Sequence, residues 1–498
     1  LAAAIGAFAQ SASVRLEDWA LFRSAAPAVL GWKIAVRAGA FPGSTFSEAA
    51  AKVDALGFAM IAGDGTQNVS REIPKKLGPG LAPGEIQAVR DRLRALNLRM
   101  PAYFTAAAAA DEGSLRKLFE FAKALGVETV VLTSRPAGAA IDPLAGEYGI
   151  RVARAEGDEA VVTLARAGVS GLAARLRELY DRQAKPALIT VDPASAEELE
   201  KALHPIMAEG VRQIASAAAI RGPERLPEEE RRKVEAALPK RAPVKPKKAR
   251  RLLVMDLNVA YGGHRSIPHA NLALETMGKQ TGAYEAVFSN DLENLKRPNI
   301  QRFDAVYLNN TVGMIFVEPE VREGLARFVR EGGGLAGHHG VSHASMDWAE
   351  FGEMIGTKWG VHREATEQAT IRIDDPKHPL TAAFAGKAFV HQDEFFRFPM
   401  GPYSREKLRV LLSIDVEKTD MNQGRPCPKP CSRPDNDYAV SWIRSYGKGR
   451  VFFCILGHNP TLYMTPALAE YFLAGIQFIL GDLDADTTPS AKLGRGAS

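Results

Sequence analysis

Short apolar runs alternate with stretches of helical period along most of this 498-residue chain. In the first half WKIAVRA, FAMIAGD, LRMPAYFT, VETVVLTS, IRVARAEG and PALITVDP read as strands. They are brief, rich in β-branched or aromatic residues, and bounded by glycine, proline or polar residues. Between them TFSEAAAKVDALG, APGEIQAVRDRLRALN, DEGSLRKLFEFAKALG and VSGLAARLRELYDRQ space their apolar residues three and four apart, and a long helical segment runs from Ser195 to Ala219. That is the period of a helix with one buried face. Regular alternation of the two predicts parallel strands with crossover helices, in about six βα units rather than the eight of a closed barrel.

The pattern breaks over residues 221–250, where prolines and charge runs predict an exposed linker with one short helix. It resumes at Arg251 with the strands RLLVMDLNV, YEAVFSND and FDAVYLNNTVG and the helix PEVREGLARFVREGG. The stretch Glu331 to Trp348, EGGGLAGHHGVSHASMDW, then carries a glycine stop and a short strand at Leu335 and Ala336. A sharp polar turn with His338, His339, Ser342 and His343 follows, and then more helix. Strands ATIRI, LRVLLSID, YAVSWIRSYG and GRVFFCIL and the helix ALAEYFLAGIQFILG complete an open α/β domain over residues 251–483. Residues 484–498 have no core-forming pattern and are expected to be disordered.

Composition changes this picture little. Apolar content of 46%, charged content of 24% and a net charge of +5 are ordinary for a globular chain. Much of the basic excess sits in the linker, so no nucleic-acid partner is implied. Residues 1–13, LAAAIGAFAQSAS, look like the remnant of a secretory signal peptide. That predicts a periplasmic or secreted protein; without it the expectation is cytoplasmic. No run reaches the ~18 apolar residues of a membrane span. Cys427 and Cys431 bracket Pro-Lys-Pro, and in an exported protein a local disulfide is the expected use. Cys454, within VFFCIL, reads as core.

The segments GWKIAVRAGAFPGSTFSEAAAKVDALGF, LRALNLRMPAYFT and FAKALGVETVV resemble the xylose isomerase-like sugar isomerase/epimerase family. The resemblance implies a degenerate, incomplete TIM-like barrel over residues 30–220. That family holds a divalent metal with Glu, Asp and His at strand ends. Here VETVVLTS ends in Thr133 and Ser134, and the half's one histidine, His204, lies in a helix. The metal site is therefore expected to be lost, and Asp64 and Glu156 read as solvated loop carboxylates.

Nine of the ten histidines follow residue 260, and most stand just after an apolar strand or a glycine. Strand ends of a parallel sheet share one rim, so His264, His339, His362 and His458 can meet although distant in sequence. Imidazole is the commonest metal ligand and titrates near neutrality. His378, before a proline, reads as structural.

GGHR, FDAVYLNNTVG, GGGLAGHHGVSHASMDWAEFGEMIG, HPLTAAF, DEFFRF and SYGKGRVFFCILGHNP resemble the ThuA-like (trehalose-utilisation) family. The resemblance implies a flavodoxin-like, class I glutamine amidotransferase-like doubly wound fold and a role in sugar catabolism. It carries over His264, Asn310, His339, His362, Glu394 and His458 as recurrent polar positions, with His338 and His343 as departures. The strand-end turn has His339 where an amidotransferase needs a cysteine, so glutaminase chemistry is not expected. No glycine-flanked elbow surrounds Ser342.

Two mechanisms remain open. In one, His264, His339, His362 and His458, with Glu394, hold a divalent ion such as zinc that polarises a carbonyl or activates water. In the other no cofactor is used, and a histidine with Glu394 serves as base and acid beside a carbonyl. The expected catalytic residues are His339, Glu394 and His458. Asn309, Asn310, Asp393, His343 and Trp359 are the expected substrate contacts, with a turn cap as the alternative for the two asparagines. The expected function is isomerisation, hydrolysis or elimination on a small sugar or keto-sugar; the alternative is a non-catalytic carbohydrate-binding or scaffold protein. Oligomeric state stays open, a homo-oligomer included.

Overall fold

The computed structural model describes residues 30–493 except 31, 57, 97, 107–110, 135–140, 156–160, 165–167, 183–187, 192–195, 260, 347, 359, 399–402 and 423–432. The proposed signal remnant, Glu156, Trp359, Cys427 and Cys431 lie outside the described residues. The chain divides into two compact units between Gly210 and Val211.

In the first unit the described strands are β1 (Ile34–Arg37), β2 (Met60–Asp64), β3 (Arg99–Thr105), β4 (Thr129–Leu132), β5 (Arg151–Arg154), β6 (Val161–Leu164) and β7 (Leu188–Val191). The helices are α1 (Phe46–Ala55), α2 (Pro83–Ala95), α3 (Glu112–Ala124), α4 (Ile141–Tyr148), α5 (Gly168–Asp181) and the first part of α6 (Ala196–Ala217), whose last residues, from Val211, belong to the second unit. Local chemistry sets the helix starts. Thr45 and Glu48 form a reciprocal capping box on α1, and Asp111 accepts from the Ser114 amide at the start of α3. The strands pair in parallel in the order β5-β4-β3-β2-β1-β7-β6. β7 returns to β1 as in a barrel, and the seam between β5 and β6 has no pairing among the described residues. The sheet is thus a curled, opened barrel, with one strand, β6, that the hydrophobic pattern missed. Asp64 is not solvated as expected. It is buried, 3.0 Å from the Arg37 guanidinium, and accepts from Thr66. Among the described residues this unit holds no cluster of metal-ligating side chains.

The second unit contains β8 (Arg251–Met255), β9 (Glu285–Phe288), β10 (Ala305–Asn309), β11 (Gly334–His338), β12 (Gln368–Ile373), β13 (Phe389–Gln392), β14 (Arg409–Ile414), β15 (Ala439–Tyr446) and β16 (Gly449–Cys454). Its helices include α7 (Glu228–Ala237), α8 (Ile267–Thr281), α9 (Pro319–Arg330), α10 (Ala349–Ile355) and α11 (Pro466–Leu480). One sheet runs β13-β12-β14-β15-β16-β11-β10-β8-β9. The run β9-β8-β10-β11-β16 is parallel, and in chain order of those strands it is 2-1-3-4-5, the flavodoxin-like arrangement. The remaining strands join antiparallel. β10 and β11 are buried at every residue, as strands covered on both faces are.

Residues 221–250 are not a free tether. Arg221 binds Asp256 through its backbone amide (2.8 Å), Val234 of α7 is buried, and Val244 exchanges hydrogen bonds with the Gln477 side chain (3.0 and 2.7 Å). The basic run is neutralised by acids of the same unit: Lys248 meets Asp304 at 2.7 Å, and Arg250 meets Asp482 at 2.6 Å. The beginning of the tail is also ordered. Ser490 and Ala491 donate to the carbonyls of Leu408 and Arg405 at 2.9 and 3.0 Å. Apart from the short buried face of α7, these segments are held by main-chain and ionic bonds, which leave no apolar period to read.

Candidate functional site

Four parallel strands deliver their carboxyl ends to one rim. The loop after β8 carries His264, the end of β10 runs into Asn310, β11 ends at His338 and His339, and the loop after β16 carries Gly457 and His458. Asn310 and His339 hold left-handed backbone conformations, φ 52° and 45°, and Gly457 has φ 121°. Non-glycine residues in that region carry strain, so the surrounding structure must hold them there. The antiparallel half contributes the fifth part. A bridge between Val361 and Arg397 lays the strand bearing His362 beside the one bearing Glu394 and Phe396. Arg397, fully buried, anchors it through a two-pronged ion pair with buried Glu367.

His264, His339, His458 and Glu394 offer ligand atoms that all lie within 4.8 Å of one another. The ring centroids of His264 and His339 are 4.8 Å apart, those of His264 and His458 5.1 Å, and those of His339 and His458 5.2 Å. Glu394 Oε2 lies 3.3 Å from His339 Nε2 and 4.0 Å from His458 Nε2. Phe396 stacks on the His339 ring at 4.7 Å and fixes its plane. Tyr261, exposed beside the rim, brings its hydroxyl to 3.5 Å from His264 Nε2.

Tautomers follow from the partners. His339 Nδ1 lies 2.9 Å from the Ile455 carbonyl, which only accepts, so Nδ1 carries the hydrogen. In neutral His339 the Nε2 lone pair then faces a carboxylate oxygen, and that buried nitrogen has no hydrogen-bond partner. Two acceptors facing each other demand a cation between them, a proton or a metal. His264 Nδ1 is likewise buried without a partner. Burial, reinforced by the neighbouring His339 and His458, pushes His264 down to about 2 and keeps it neutral. Burial raises Glu394, but His339 and His362 outweigh it and hold the carboxyl well below its usual range. Imidazole nitrogens and a carboxylate oxygen make the donor set that a zinc-like ion takes. A backbone carbonyl on the far nitrogen of His339 is the usual partner of a ligating histidine.

His362 stands outside this set of four. Its Nδ1 is 3.0 Å from Glu394 Oε1 and 2.8 Å from the Arg363 carbonyl. Burial lowers its pKa, yet the hydrogen bond and charge of Glu394 outweigh that and raise it. Of the five side chains expected around an ion, His362 is the one outside the group whose ligand atoms lie within 4.8 Å of one another.

The expected substrate contacts fare differently. Asn309 is fully buried and donates to the Ile267 carbonyl (3.1 Å) and Asn271 Oδ1 (2.7 Å), so it pins α8. Asp393, also buried, accepts from the amides of Gly457 (2.8 Å) and Asn459 (3.0 Å) and ties the Glu394 strand to the His458 loop. Asn310 is buried among the loops. His343 Nδ1 lies 3.0 Å from Ser342 Oγ, and its ring centroid lies 5.0 Å from that of Phe396, outside the four-residue cluster. His338 is buried beneath, between Tyr307 and Tyr463, and His378 binds the Asp486 carbonyl away from the site. Sequence reading overlooked Phe396 and Tyr261. The alternation of DEFFRF, which sets Glu394 and Phe396 on one face two residues apart, was the available signal for the first.

Cys454, the described free cysteine, is buried, and burial pushes its thiol up to about 12.

Fold and site together define a flavodoxin-like α/β unit with a histidine–carboxylate pocket at the carboxyl rim of its parallel strands. Residues 251–479 match the ThuA family, described as trehalose utilisation. The chain is similar in structure to a ThuA-like protein from Bacteroides uniformis ATCC 8492, with 16% identity and a TM-score of 0.38 over 48% of this chain and 94% of that one. A ThuA-like protein from Parabacteroides merdae ATCC 43184 shows 15% identity and a TM-score of 0.37 over 50% and 100%. A xylose isomerase domain containing protein from Salmonella typhimurium LT2 shows 14% identity and a TM-score of 0.20 over 32% and 60%. No curated protein matches the chain. Among the described residues, no helix is long and apolar enough to cross a membrane.

Proposed function

We propose that the second unit is a metal-assisted carbohydrate-processing enzyme. Its ion, zinc or a similar divalent cation, would be held by His264, His339, His458 and Glu394. The observation that carries this reading is the pair of facing acceptors, His339 Nε2 and Glu394 Oε2, 3.3 Å apart in a buried pocket. The family's description, trehalose utilisation, supports a sugar or keto-sugar as substrate. When bound, such an ion polarises a carbonyl or lowers the pKa of a bound water. The chain's own groups do the rest. Glu394 stays ionised and bridges the cluster to His362, which is partly exposed and placed to exchange a proton with solvent or substrate. Phe396 blocks one side and holds the His339 ring plane. Tyr261 and the half-buried His264 and His458 form the open side. Proton transfer next to a carbonyl, as in isomerisation or elimination, and hydrolysis both fit these groups.

The test is metal content after purification together with turnover across a panel of sugars and keto-sugars. One equivalent of zinc-like metal, turnover of a panel member, and loss of both in His339→Ala are expected. Turnover unchanged in that variant would refute the catalytic assignment. Saturable sugar binding with no product from any member would favour a binding protein.

A further inference from the structure

Asn310 lies at the centre of the loops that carry the cluster. Its Oδ1 accepts from the Gly340 amide at 3.0 Å. A backbone N–H can only donate, so this contact fixes which end of the side chain is oxygen. Its Nδ2 lies 3.1 Å from Ser266 Oγ, 3.0 Å from the Gly457 carbonyl and 3.1 Å from His338 Nε2. Ser266 Oγ itself donates to the Gly457 carbonyl at 2.5 Å. Ser266 is two residues from His264, Gly340 adjoins His339, and Gly457 adjoins His458. One buried amide therefore touches every loop that supplies a histidine of the set.

The packing leaves no slack around it. A Cβ on Gly340 would stand 2.8 Å from Val312 Cγ2, 3.0 Å from His264 Cε1 and 3.2 Å from Asn310 Oδ1. A Cβ on Gly457 would fall 2.5 Å from His338 Cδ2. Below, His338 Nε2 lies 3.1 Å from Asn310 Nδ2 and 3.0 Å from the Tyr463 hydroxyl, and its Nδ1 lies 3.0 Å from the Tyr307 hydroxyl. The asparagine is thereby held from beneath as well as from the sides.

We infer that Asn310 is the positioning residue of the cation site: through Ser266, Gly340 and Gly457 it sets the separation of His264, His339 and His458. It touches no ligand atom of the set, and it is not the substrate contact that its place at a strand end suggested. This inference rests on the reading of those histidines as metal ligands. It adds that their spacing is imposed by one side chain rather than by the three loops independently. Partners of this kind change metal affinity by about 10–100-fold when removed, because the ligands then pay for their own ordering on binding.

Asn310→Gly removes the amide and tolerates φ 52°. Asn309→Ala is the matched control: it is the adjacent residue, equally buried, and its bonds go to α8 instead. Co2+ is the probe, titrated against a chelator of known affinity into the full-length protein and followed by its visible absorption. Wild type is expected to bind one Co2+ with a four-to-five-coordinate spectrum. Asn310→Gly should bind at least about 10-fold more weakly with a shifted, weaker band, while Asn309→Ala loses thermal stability yet keeps the wild-type affinity and band. Wild-type affinity and spectrum in Asn310→Gly would overturn the inference and leave the metal reading standing. Equal losses in both variants would also overturn it, as general loosening. Failure of wild type to bind Co2+, Zn2+ or Ni2+ would overturn the metal reading and this inference with it. Should Asn310→Gly not fold, Asn310→Asp decides: it keeps an acceptor for Gly340 and loses every hydrogen bond that Nδ2 donates, and wild-type affinity there contradicts the claim.

Discussion

His339 combines every feature that a single side chain can bring to a site of this kind. It sits at a strained strand end, its ring is stacked by Phe396, one nitrogen is bonded to the Ile455 carbonyl, and the other is aimed at Glu394. Its type and place were legible in HHGVSH, and so were His264 and His458, because a histidine after an apolar strand falls on the rim by topology alone. The roles of their polar neighbours were not legible. Asn309, Asn310 and Asp393 have the composition of sugar contacts, yet each is fully buried and bonded to backbone or to other buried groups. Burial of a polar residue depends on what packs over it, and a single sequence does not carry that. That His362 stands outside the cluster while Glu394 belongs to it has the same origin, since the Val361–Arg397 bridge sets the two segments side by side. At this scale Gly340→Ala is expected to fold with a displaced His264 and lose metal binding by 10-fold or more, on the order of a ligand-orientation defect. Equilibrium dialysis with Zn2+ checks it, and unchanged affinity would show that the pocket yields around the added methyl.

Among elements, the parallel core was readable and the edges were not. β8, β10, β11 and β16 announce themselves as apolar runs, and their parallel order follows from the helices between them. β13 did not, because its residues alternate between half-buried and exposed at a sheet edge, and only His391 is buried. β6 is four residues long with no helix described before it. The element that brings Glu394 to the rim depends on the Glu367–Arg397 pair, both residues of which are almost completely buried. Removing one partner of a buried pair leaves an uncompensated charge, so Arg397→Ala should destabilise the unit by about 3–5 kcal/mol. Replacing both with well-packed apolar residues should restore most of that. Chemical denaturation of the single and double variants measures it; equal losses in the two would mean that the pair is not what holds the strand.

For the whole molecule, what looked like leash and tail are parts of the second unit. Arg221, Val244 and Lys247 bond into it from one side, and Ser490 and Ala491 from the other. A fragment beginning at Val211 should therefore melt at a higher temperature than one beginning at Arg251, and identical melting would mean that residues 211–250 add nothing. The tail gives a pH test. His378 is buried, accepts from the Leu380 amide and meets the Asp486 carbonyl through Nε2, so it is neutral in the fold, and burial lowers its pKa. The unfolded chain takes up that proton below about pH 6.5 while the folded one does not. Stability is thus fully present above that pH and falls as the pH drops through it. In denaturation midpoints at pH 7.5 and 5.5, His378→Asn should show a smaller acid loss than wild type; an equal loss would place the proton uptake elsewhere.

The most direct test of the central claim is X-ray absorption at the zinc edge of the full-length protein loaded with one equivalent of Zn2+. The account predicts imidazole scattering from three histidines plus a carboxylate oxygen, with metal–ligand distances of about 2.0–2.1 Å, and loss of one imidazole in His264→Ala, His339→Ala and His458→Ala taken singly. A spectrum without imidazole scattering, or one that none of the three substitutions changes, would contradict it.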